Sequence, residues 1–356
     1  MKIGLMGLPN SGKTTIFNAL TKSHAEVAAY ASAKAEPNIA VVTVADERVD
    51  RLAGMYLPKK VTYATVEVVD FVGFSGGSVR GGGFSAGQMA LIKTLDALAL
   101  VLRNFHDDLS GNPIPLQDIE TIEAELILAD LIVVETRLER IEWSYRRGKK
   151  TAELEAEERI LRKIQEQLNN NCSIREMTFS DGEEKIIAGF QFVSKKQVLI
   201  ILNSSETAFG GNGALLKRIE DRWRVIEFAG TFEMELSRLT DEEEARLFMD
   251  DMGITDSARD RLTRFAYETL GYISFLTVGT DEVRAWTIRR GDKALDAAAS
   301  IHSDLARGFI RAECFSYQDL IECGSEKAVK DQGRFRLEGK EYIVCDGDIL
   351  NVRFSV

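Results

Sequence analysis

The clearest indication of the fold is the N-terminal segment Met1–Leu20, MKIGLMGLPNSGKTTIFNAL. A short apolar segment predicts a β-strand, Gly7-x-x-x-x-Gly12-Lys13-Thr14 follows, and the next apolar residues recur at helical spacing. A glycine-rich loop between a strand and a helix turns its backbone N–H groups inward and adds the positive end of the helix. The lysine of such a loop reaches the β- and γ-phosphates, and the next hydroxyl ligates Mg²⁺. The stretch therefore predicts a phosphate-binding loop (P-loop).

A second apolar segment, Val66–Val69, ends in Asp70-Phe71-Val72-Gly73. An Asp at a strand tip beside a P-loop is a usual Mg²⁺ ligand, and the glycine lets its N–H approach the γ-phosphate. The glycine-rich segment Gly73–Gln88 follows at once. It is either a flexible linker or a switch loop that orders around nucleotide. Because the segment begins at Gly73, the predicted γ-phosphate contact, its position favours the switch loop.

The base-binding end is predicted from Val198–Leu202, five apolar residues followed by Asn203-Ser204-Ser205-Glu206. Ligands of open α/β sheets bind just beyond the carboxyl ends of the strands. In the guanine-reading tetrapeptide N-K-x-D, the lysine stem covers the base and the aspartate accepts two hydrogen bonds. Because Ser204 and Glu206 replace those two residues, we expect ATP to bind at least as well as GTP. Phe105 is a candidate to pack near the base.

Two alternatives stay open at this end: that Asn203 and Glu206 only cap the following loop, and that Phe105 belongs to the core. The predicted nucleotide-binding residues are Asn10, Ser11, Gly12, Lys13, Thr14, Thr15, Gly73, Phe105, Asn203, Ser204 and Glu206, with Thr14 and Asp70 as Mg²⁺ ligands. The predicted cofactor is Mg²⁺ and the substrate is ATP or GTP. No catalytic residue is predicted, because Phe74 stands where Ras-like proteins hold a water-orienting Gln. Slow hydrolysis is the expectation.

The order of the predicted elements indicates an α/β fold with a parallel P-loop sheet. Its strands are predicted at Lys2–Leu5, Val66–Val69, Ala97–Leu102 and Val198–Leu202. The P-loop domain is thus discontinuous, 1–110 and 195–273, around an insertion at 111–194. In the insertion, apolar residues at alternating spacings of four and three predict two helices, which we interpret as an antiparallel hairpin packed on its own stripe. The seam residues are Ile127, Leu131, Val134, Leu138, Ile141 and Tyr145, then Leu154, Leu161, Ile164 and Leu168.

Two further regions suggest binding rather than chemistry. Arg146, Arg147, Lys149 and Lys150 cluster at the tip of the predicted hairpin. This tip is either an ordinary solvated turn or a contact for RNA. From residue 274 to 356, short alternating segments, one helix and closely spaced glycines predict a small β-grasp domain.

The bulk properties limit the class of protein. A net charge of −11 argues against a generic polyanion binder. The four cysteines show no metal-binding spacing, which indicates reduced thiols. The chain enters a strand directly and has no run of eighteen apolar residues, so a cytoplasmic location and no membrane contact are predicted.

Several stretches together resemble the YchF/Obg-like ATPase family. Besides the P-loop they are Glu36-Pro37-Asn38, DERVDRLAGMYLPKK, ELILADL, Asn203-x-x-Glu206, EVRAWTIRRGDKALDAAASIHSDLARGFIRAE and RLEGKEYIVCDGD. The resemblance implies a P-loop domain of the translation-factor-related GTPase class, a C-terminal TGS domain, a preference for ATP, and a ribosome or ribosomal RNA as partner.

The chain departs from that family's pattern at three places. Lys34 stands where the family usually has a Thr, Leu100 stands where it often has a His, and the glycine-rich loop after Asp70 is altered. These departures affect hydrolysis more than nucleotide binding. The leading hypothesis is a slow molecular switch, in which Ser32–Asn38 and Gly73–Gln88 order around the nucleotide. The alternatives are a binding module with little turnover and a P-loop kinase, the latter disfavoured because no substrate-binding Arg lid is evident.

Overall fold

The structure is a computed structural model that describes residues 1–21, 37–71, 85–108 and 111–355. It divides into two compact units. The P-loop unit comprises Lys2–Ala40 and Glu67–Thr255, and the C-terminal unit comprises Met1, Val41–Val66 and Asp256–Val356. Segment 41–66 thus groups with the C-terminal unit, whereas the division into 1–110 with 195–273, 111–194 and 274–356 stays a prediction.

The described residues contain the following strands and helices. The strands are β1 Lys2–Met6, β2 Asn38–Thr43, β3 Lys60–Thr62, β4 Thr65–Asp70, β5 Ala97–Asn104, β6 Gln197–Ser204, β7 Arg224–Phe228, β8 Tyr272–Thr277, β9 Glu282–Arg289, β10 Phe309–Ser316, β11 Arg336–Glu338 and β12 Asp348–Phe354. The helices are α1 Lys13–Thr21, α2 Glu47–Tyr56, α3 Ala86–Lys93, α4 Pro115–Arg146, α5 Ala152–Asn169, α6 Asp181–Ile187, α7 Gly213–Glu220, α8 Gly230–Leu236, α9 Glu242–Asp251, α10 Ala258–Leu270, α11 Ala294–Ile301, α12 Ser303–Arg307, α13 Tyr317–Cys323 and α14 Glu326–Asp331.

The P-loop sheet has the strand order β2-β4-β1-β5-β6-β7. Its β1–β4, β1–β5, β5–β6 and β6–β7 pairs are parallel, so the predicted parallel sheet is confirmed. β5 and β6 are buried along almost their whole length because apolar side chains cover both faces. Leu100 is fully buried in this core and pairs with Ile200 of β6. The carboxyl ends of β1, β4, β5 and β6 share one edge, where the predicted site residues follow.

The insertion forms the predicted helical hairpin of α4 and α5. The seam residues of both helices form one buried cluster, which confirms that the stripe is the hairpin's own core. Arg137 of α4 and Glu157 of α5 make two hydrogen bonds of 2.6 and 2.7 Å across the pair. Asp130 of α4 accepts the backbone N–H groups of Val193 (3.0 Å) and Ser194 (2.7 Å), just before β6. This carboxylate fixes the hairpin to the segment that leads into β6, the strand with the predicted base-binding end.

The C-terminal unit is built on a second sheet with the order β11-β10-β12-β8-β9-β3. Antiparallel β8–β9 and β10–β12 pairs are joined by a parallel contact between β12 and β8, and α11 packs on the core that includes Phe275 and Leu350. The separate C-terminal sheet confirms the predicted architecture. Sequence analysis did not predict that β3, far earlier in the chain, pairs in parallel with β9.

Among the described residues, no helix combines the length and the apolar character that a membrane span requires.

Candidate nucleotide-binding site

The P-loop follows β1 and its backbone explains the glycine positions. Gly12 has φ +87° and Asn10 has φ 60°, a conformation that favours Gly and tolerates Asn. A Cβ at Gly7 would lie 2.4 Å from the carbonyl oxygen of Val101. A Cβ at Gly12 would lie 2.1 Å from Nδ2 of Asn203. The loop is therefore packed too tightly against β5 and β6 to accept side chains at these two positions.

Lys13 begins α1 and lies inside the loop. Its side chain is buried, and Nζ donates to the carbonyl oxygens of Gly7 (3.0 Å) and Leu8 (2.9 Å). Burial lowers the pKa of Lys13 to about 8, against the opposing effect of the Asp70 charge. A phosphate would give this ammonium a charged partner in place of two neutral carbonyls.

Thr14 and Asp70 meet at the carboxyl ends of β1 and β4. Thr14 Oγ1 donates to Asp70 Oδ2 at 2.9 Å, and Asn38 Nδ2 is 3.5 Å from the same oxygen. Asp70 is fully buried, and burial raises its pKa although the Thr14 bond and Lys13 act in the opposite direction. Asp70 Oδ1 and Ser11 Oγ are buried without a hydrogen-bond partner among the described residues. Two buried polar atoms therefore need a partner at this end.

The Thr14 and Asp70 oxygens fit a Mg²⁺ ion. Mg²⁺ prefers oxygen ligands such as hydroxyl and carboxylate groups. Asp70 Oδ1 is a buried acceptor that has no hydrogen-bond partner among the described residues. Within the described residues, no group of three or more His, Cys, Asp and Glu side chains could hold a metal. The ion would thus take its remaining ligands from phosphate and water, as is usual for Mg²⁺ at nucleotide sites.

The predicted base-binding end begins at Asn203, the penultimate residue of β6. Its side chain is buried: Nδ2 donates to the Ser11 carbonyl (3.0 Å), and Oδ1 accepts the backbone N–H of Gly230 (3.0 Å). Asn203 therefore connects the P-loop to the start of α8. The predicted use of this amide, donating to a purine N7 and accepting from an amino group, stays untested, since protein atoms engage both of its ends here.

The other predicted base-end residues differ in exposure. Ser204 is buried and donates from Oγ to Glu227 Oε1 at 2.5 Å, whereas Glu206 is exposed in the loop after β6. Phe105 is half-buried, and the Arg103 guanidinium lies 5.9 Å from its ring centroid. Because Arg103 and Asn203 are paired across β5 and β6, Phe105 follows its strand at the same edge as Ser204. Their contact with a base stays a prediction.

The structure describes some of the remaining predicted site residues but not all of them. Thr15 is half-buried in the first turn of α1, and Asn10 Nδ2 donates to Asp107 Oδ2 at 3.3 Å. Gly73, Lys34, Phe74, Ser32–Glu36 and the greater part of Gly73–Gln88 lie outside the described residues. Both predicted switch segments therefore stay predictions.

Three residues that surround Ser204 were not predicted from the sequence: Asn104, Asn212 and Glu227. The one local signal is Glu227 itself, a carboxylate inside the otherwise apolar end of the RVIEF strand. No short motif joins these three positions, so only the fold brings them together.

The hairpin tip combines basic side chains with an exposed aromatic ring. Arg147 lies 5.2 Å above the ring of Trp143, whose side chain is 59% exposed. Lys150 pairs with Glu155 at 3.1 Å, and Arg146 is 4.0 Å from Glu142. Acidic neighbours thus offset part of the basic character, and contact with RNA stays a prediction.

Comparisons with known proteins identify the family of this chain. The family model "50S ribosome-binding GTPase" matches residues 2–137, and the YchF-GTPase_C model, "Protein of unknown function (DUF933)", matches residues 272–355. The "Ribosome-binding ATPase YchF" of Bacillus subtilis is 38% identical over 364 residues, 99% of this chain and 99% of its own length. The chain belongs to the YchF family.

Other YchF proteins show the same full-length agreement. The "Ribosome-binding ATPase YchF" of Haemophilus ducreyi is 39% identical over 363 residues, 100% of this chain and 99% of its own. The structure of the Schizosaccharomyces pombe YchF GTPase superposes with a TM-score of 0.83 at 33% identity, covering 99% of this chain and 97% of that one. The family resemblance and the predicted fold class are thus confirmed.

Proposed function

We propose that this chain is a Mg²⁺-dependent purine nucleoside triphosphatase that binds ATP at least as well as GTP, hydrolyses it slowly, and associates with the ribosome. One observation carries the proposal. Lys13, Thr14 and Asp70 converge at the P-loop, and the buried Oδ1 of Asp70 has no partner among the described residues. A triphosphate with its metal ion would satisfy both the buried ammonium and this oxygen.

The phosphate chemistry follows from these side chains. The ammonium of Lys13 is oriented by the Gly7 and Leu8 carbonyls, so little reorganisation is needed when a phosphate replaces them. Thr14 and Asp70 would hold Mg²⁺, which when bound neutralises charge on the β- and γ-phosphate oxygens. Asn203 holds the loop in shape from behind through the Ser11 carbonyl.

Slow hydrolysis is inferred because three positions lack the polar side chain that would orient an attacking water or contact Mg²⁺ and the γ-phosphate. Phe74 replaces the water-orienting Gln, and Lys34 replaces the expected Thr. Leu100 is apolar and fully buried in β5, so it presents no polar group to the site. We expect an intrinsic rate on the order of 10⁻⁴ to 10⁻³ s⁻¹, as for Ras without a partner.

Modest base selectivity is inferred from Ser204. Its short side chain is buried and directed to Glu227, so it gives a base no cover of the kind that a lysine stem provides. Glu206 places its carboxylate one methylene further from the backbone than aspartate does. A guanine would thus lose a fitted pair of contacts, on which strong discrimination depends.

Association with the ribosome is supported by the relatives, which are named "Ribosome-binding ATPase YchF". A ribosome partner agrees with the predicted cytoplasmic location. We propose the hairpin tip, with its exposed Trp143 and Arg147, as one contact for ribosomal RNA, because an aromatic ring can stack on an unpaired base while arginine meets phosphate.

Product analysis tests the proposal. Purified chain is incubated with ATP and Mg²⁺, and free phosphate, bound nucleotide and any phosphorylated acceptor are measured. Slow phosphate release that EDTA and Lys13→Ala abolish, and that exposed Lys217→Ala on α7 leaves intact, is the expected result. Binding without release would indicate a nucleotide-dependent binding module, and phosphate on an acceptor would indicate a kinase. Absence of nucleotide binding would contradict the proposal.

A further inference from the structure

A partly buried polar network joins the ends of three strands at the predicted base-binding edge. Ser204 Oγ donates to Glu227 Oε1 (2.5 Å) and accepts from Asn104 Nδ2 (2.9 Å). Asn212 Nδ2 donates to the same Glu227 oxygen (2.6 Å) and lies 3.3 Å from Ser204 Oγ. The second oxygen, Oε2, accepts the backbone N–H of Gly210 (3.2 Å). Glu227 is thus the centre of the network.

The network requires a carboxylate at its centre. Ser204, Asn212 and Gly210 all donate to Glu227, and they use both of its oxygens. A neutral amide of the same shape would place an N–H₂ group against at least one of these donors. Hydrogen bonds to an ionised acceptor are also stronger than those to a neutral one.

The same network adjoins both candidate base contacts, Phe105 and Glu206. Asn104 immediately precedes Phe105 at the end of β5. Glu206 belongs to the loop 205–212, which Glu227 holds at Gly210 and at Asn212. Within the loop, Asn212 donates to the Ala208 carbonyl (2.6 Å), and the backbone N–H groups of Ala208 and Phe209 donate to the Ser205 carbonyl.

We propose that Glu227 is a positioning residue for the purine base: it holds Phe105 and the Glu206 loop in register and thereby determines how much binding free energy the base contributes. This rests on the proposed function, since it assumes that a nucleoside triphosphate is the ligand. The phosphate end is held separately, by Lys13 and by the Asn203 bond to Ser11. Loss of the Glu227 network should therefore weaken the contacts to the base and leave the binding of the phosphates unchanged.

The test compares ATP with inorganic tripolyphosphate, which has the phosphate chain but no base. Dissociation constants for both, and for GTP, are measured with Mg²⁺ on the full chain by calorimetry. Glu227→Gln should weaken ATP by about tenfold, since it loses charged hydrogen bonds, and leave tripolyphosphate within about twofold. Glu220→Gln, an exposed carboxylate of α7, is the matched control and should change neither constant.

A second variant keeps the test valid if Glu227→Gln folds poorly. Asn104→Ala removes one donor to Ser204 from the half-exposed end of β5, and we expect ATP to weaken by about threefold without an effect on tripolyphosphate. Hydrogen exchange gives an independent readout, because the Gly210 amide should exchange faster in Glu227→Gln.

Three results would overturn the inference: unchanged ATP affinity in both variants, an equal loss for ATP and tripolyphosphate, or a wild-type chain that binds the two equally. In each case binding of tripolyphosphate by the wild type would leave the phosphate site standing. A wild-type chain that binds neither ligand would overturn the proposed function, and the inference with it.

Discussion

The proposed phosphate end and the proposed base end of the site differ in how many of their buried polar groups have hydrogen-bond partners. At the phosphate end, Asp70 Oδ1 and Ser11 Oγ are buried without partners among the described residues, and burial depresses the pKa of Lys13. At the base end, protein atoms engage both ends of the Asn203 amide, and Ser204 belongs to a complete network.

This difference indicates which of the two ends contributes more to the affinity for the ligand. Unsatisfied buried polar groups cost stability in the free protein, and a ligand that satisfies them binds more tightly for that reason. A base end that is already satisfied gains little from any particular base. We therefore expect strong binding of a triphosphate and weak discrimination between purines.

The largest expected effect comes from removing the buried charge. Lys13→Ala should weaken triphosphate binding by about 10²- to 10³-fold, because a charge-assisted contact to phosphate is lost in a buried site. Calorimetry with ATP and Mg²⁺ measures this, with Lys217→Ala as the exposed control. Unchanged affinity would show that Lys13 does not meet the phosphates.

A smaller effect is expected from the metal side of the phosphate end. Thr14→Ala should lower affinity by about tenfold in the presence of Mg²⁺ and hardly at all in EDTA, because the lost hydroxyl acts through the ion. Titrations under both conditions separate the two contributions. An equal loss with and without Mg²⁺ would place Thr14 in loop structure instead.

The depressed pKa of Lys13 predicts a pH dependence of binding. Phosphate binding favours the protonated amine, so affinity should be constant from neutral pH up to about 8 and should then fall, by up to about tenfold per unit. The phosphate oxygens are already ionised in that range, so they do not account for the change. Affinity of the wild type that stays flat up to pH 9.5 would contradict a pKa near 8.

The same pKa predicts a stability effect in the nucleotide-free chain. Between pH 8 and 10.5 the unfolded state holds more protons at Lys13, so the penalty is fully present below pH 8 and fades as pH rises. Lys13→Met should therefore raise the free energy of unfolding at pH 7 by about 1–3 kcal/mol. Thermal unfolding at pH 7 and 10 checks it, and a destabilised variant at pH 7 would be the opposite result.

The two ends differ in how well the sequence predicted them. The reason is how far apart along the chain the residues of each end lie. The P-loop is one continuous stretch, and Asp70 is recognisable because an Asp at a strand tip after a P-loop has a narrow range of roles. Glu227 and Asn104 lie 23 and 100 positions from Ser204, with no motif to join them. The sequence therefore indicated that Ser204 lacks the lysine stem that would cover a base. It did not indicate which residues hydrogen-bond to the Ser204 side chain.

Local patterns also limited the prediction of the fold. The hairpin was predictable because its seam repeats over many turns, and an apolar repeat of that length is typical of paired helices. β3 is three residues long and half-exposed or exposed throughout, so neither alternation nor burial marked it as a strand of the C-terminal sheet. Its pairing with β9 is a tertiary effect that short segments cannot show.

The smallest effect expected, and the most direct test of the comparison, is the ratio of ATP to GTP affinity in the wild-type chain. Both nucleotides compete with one fluorescent nucleotide in the presence of Mg²⁺, and tripolyphosphate serves as the reference without a base. If affinity arises mainly at the phosphate end, ATP binds at least as tightly as GTP and the two differ by no more than about tenfold. A GTP preference approaching ~10⁴-fold, as a fitted polar site can give, would contradict this account of the base end.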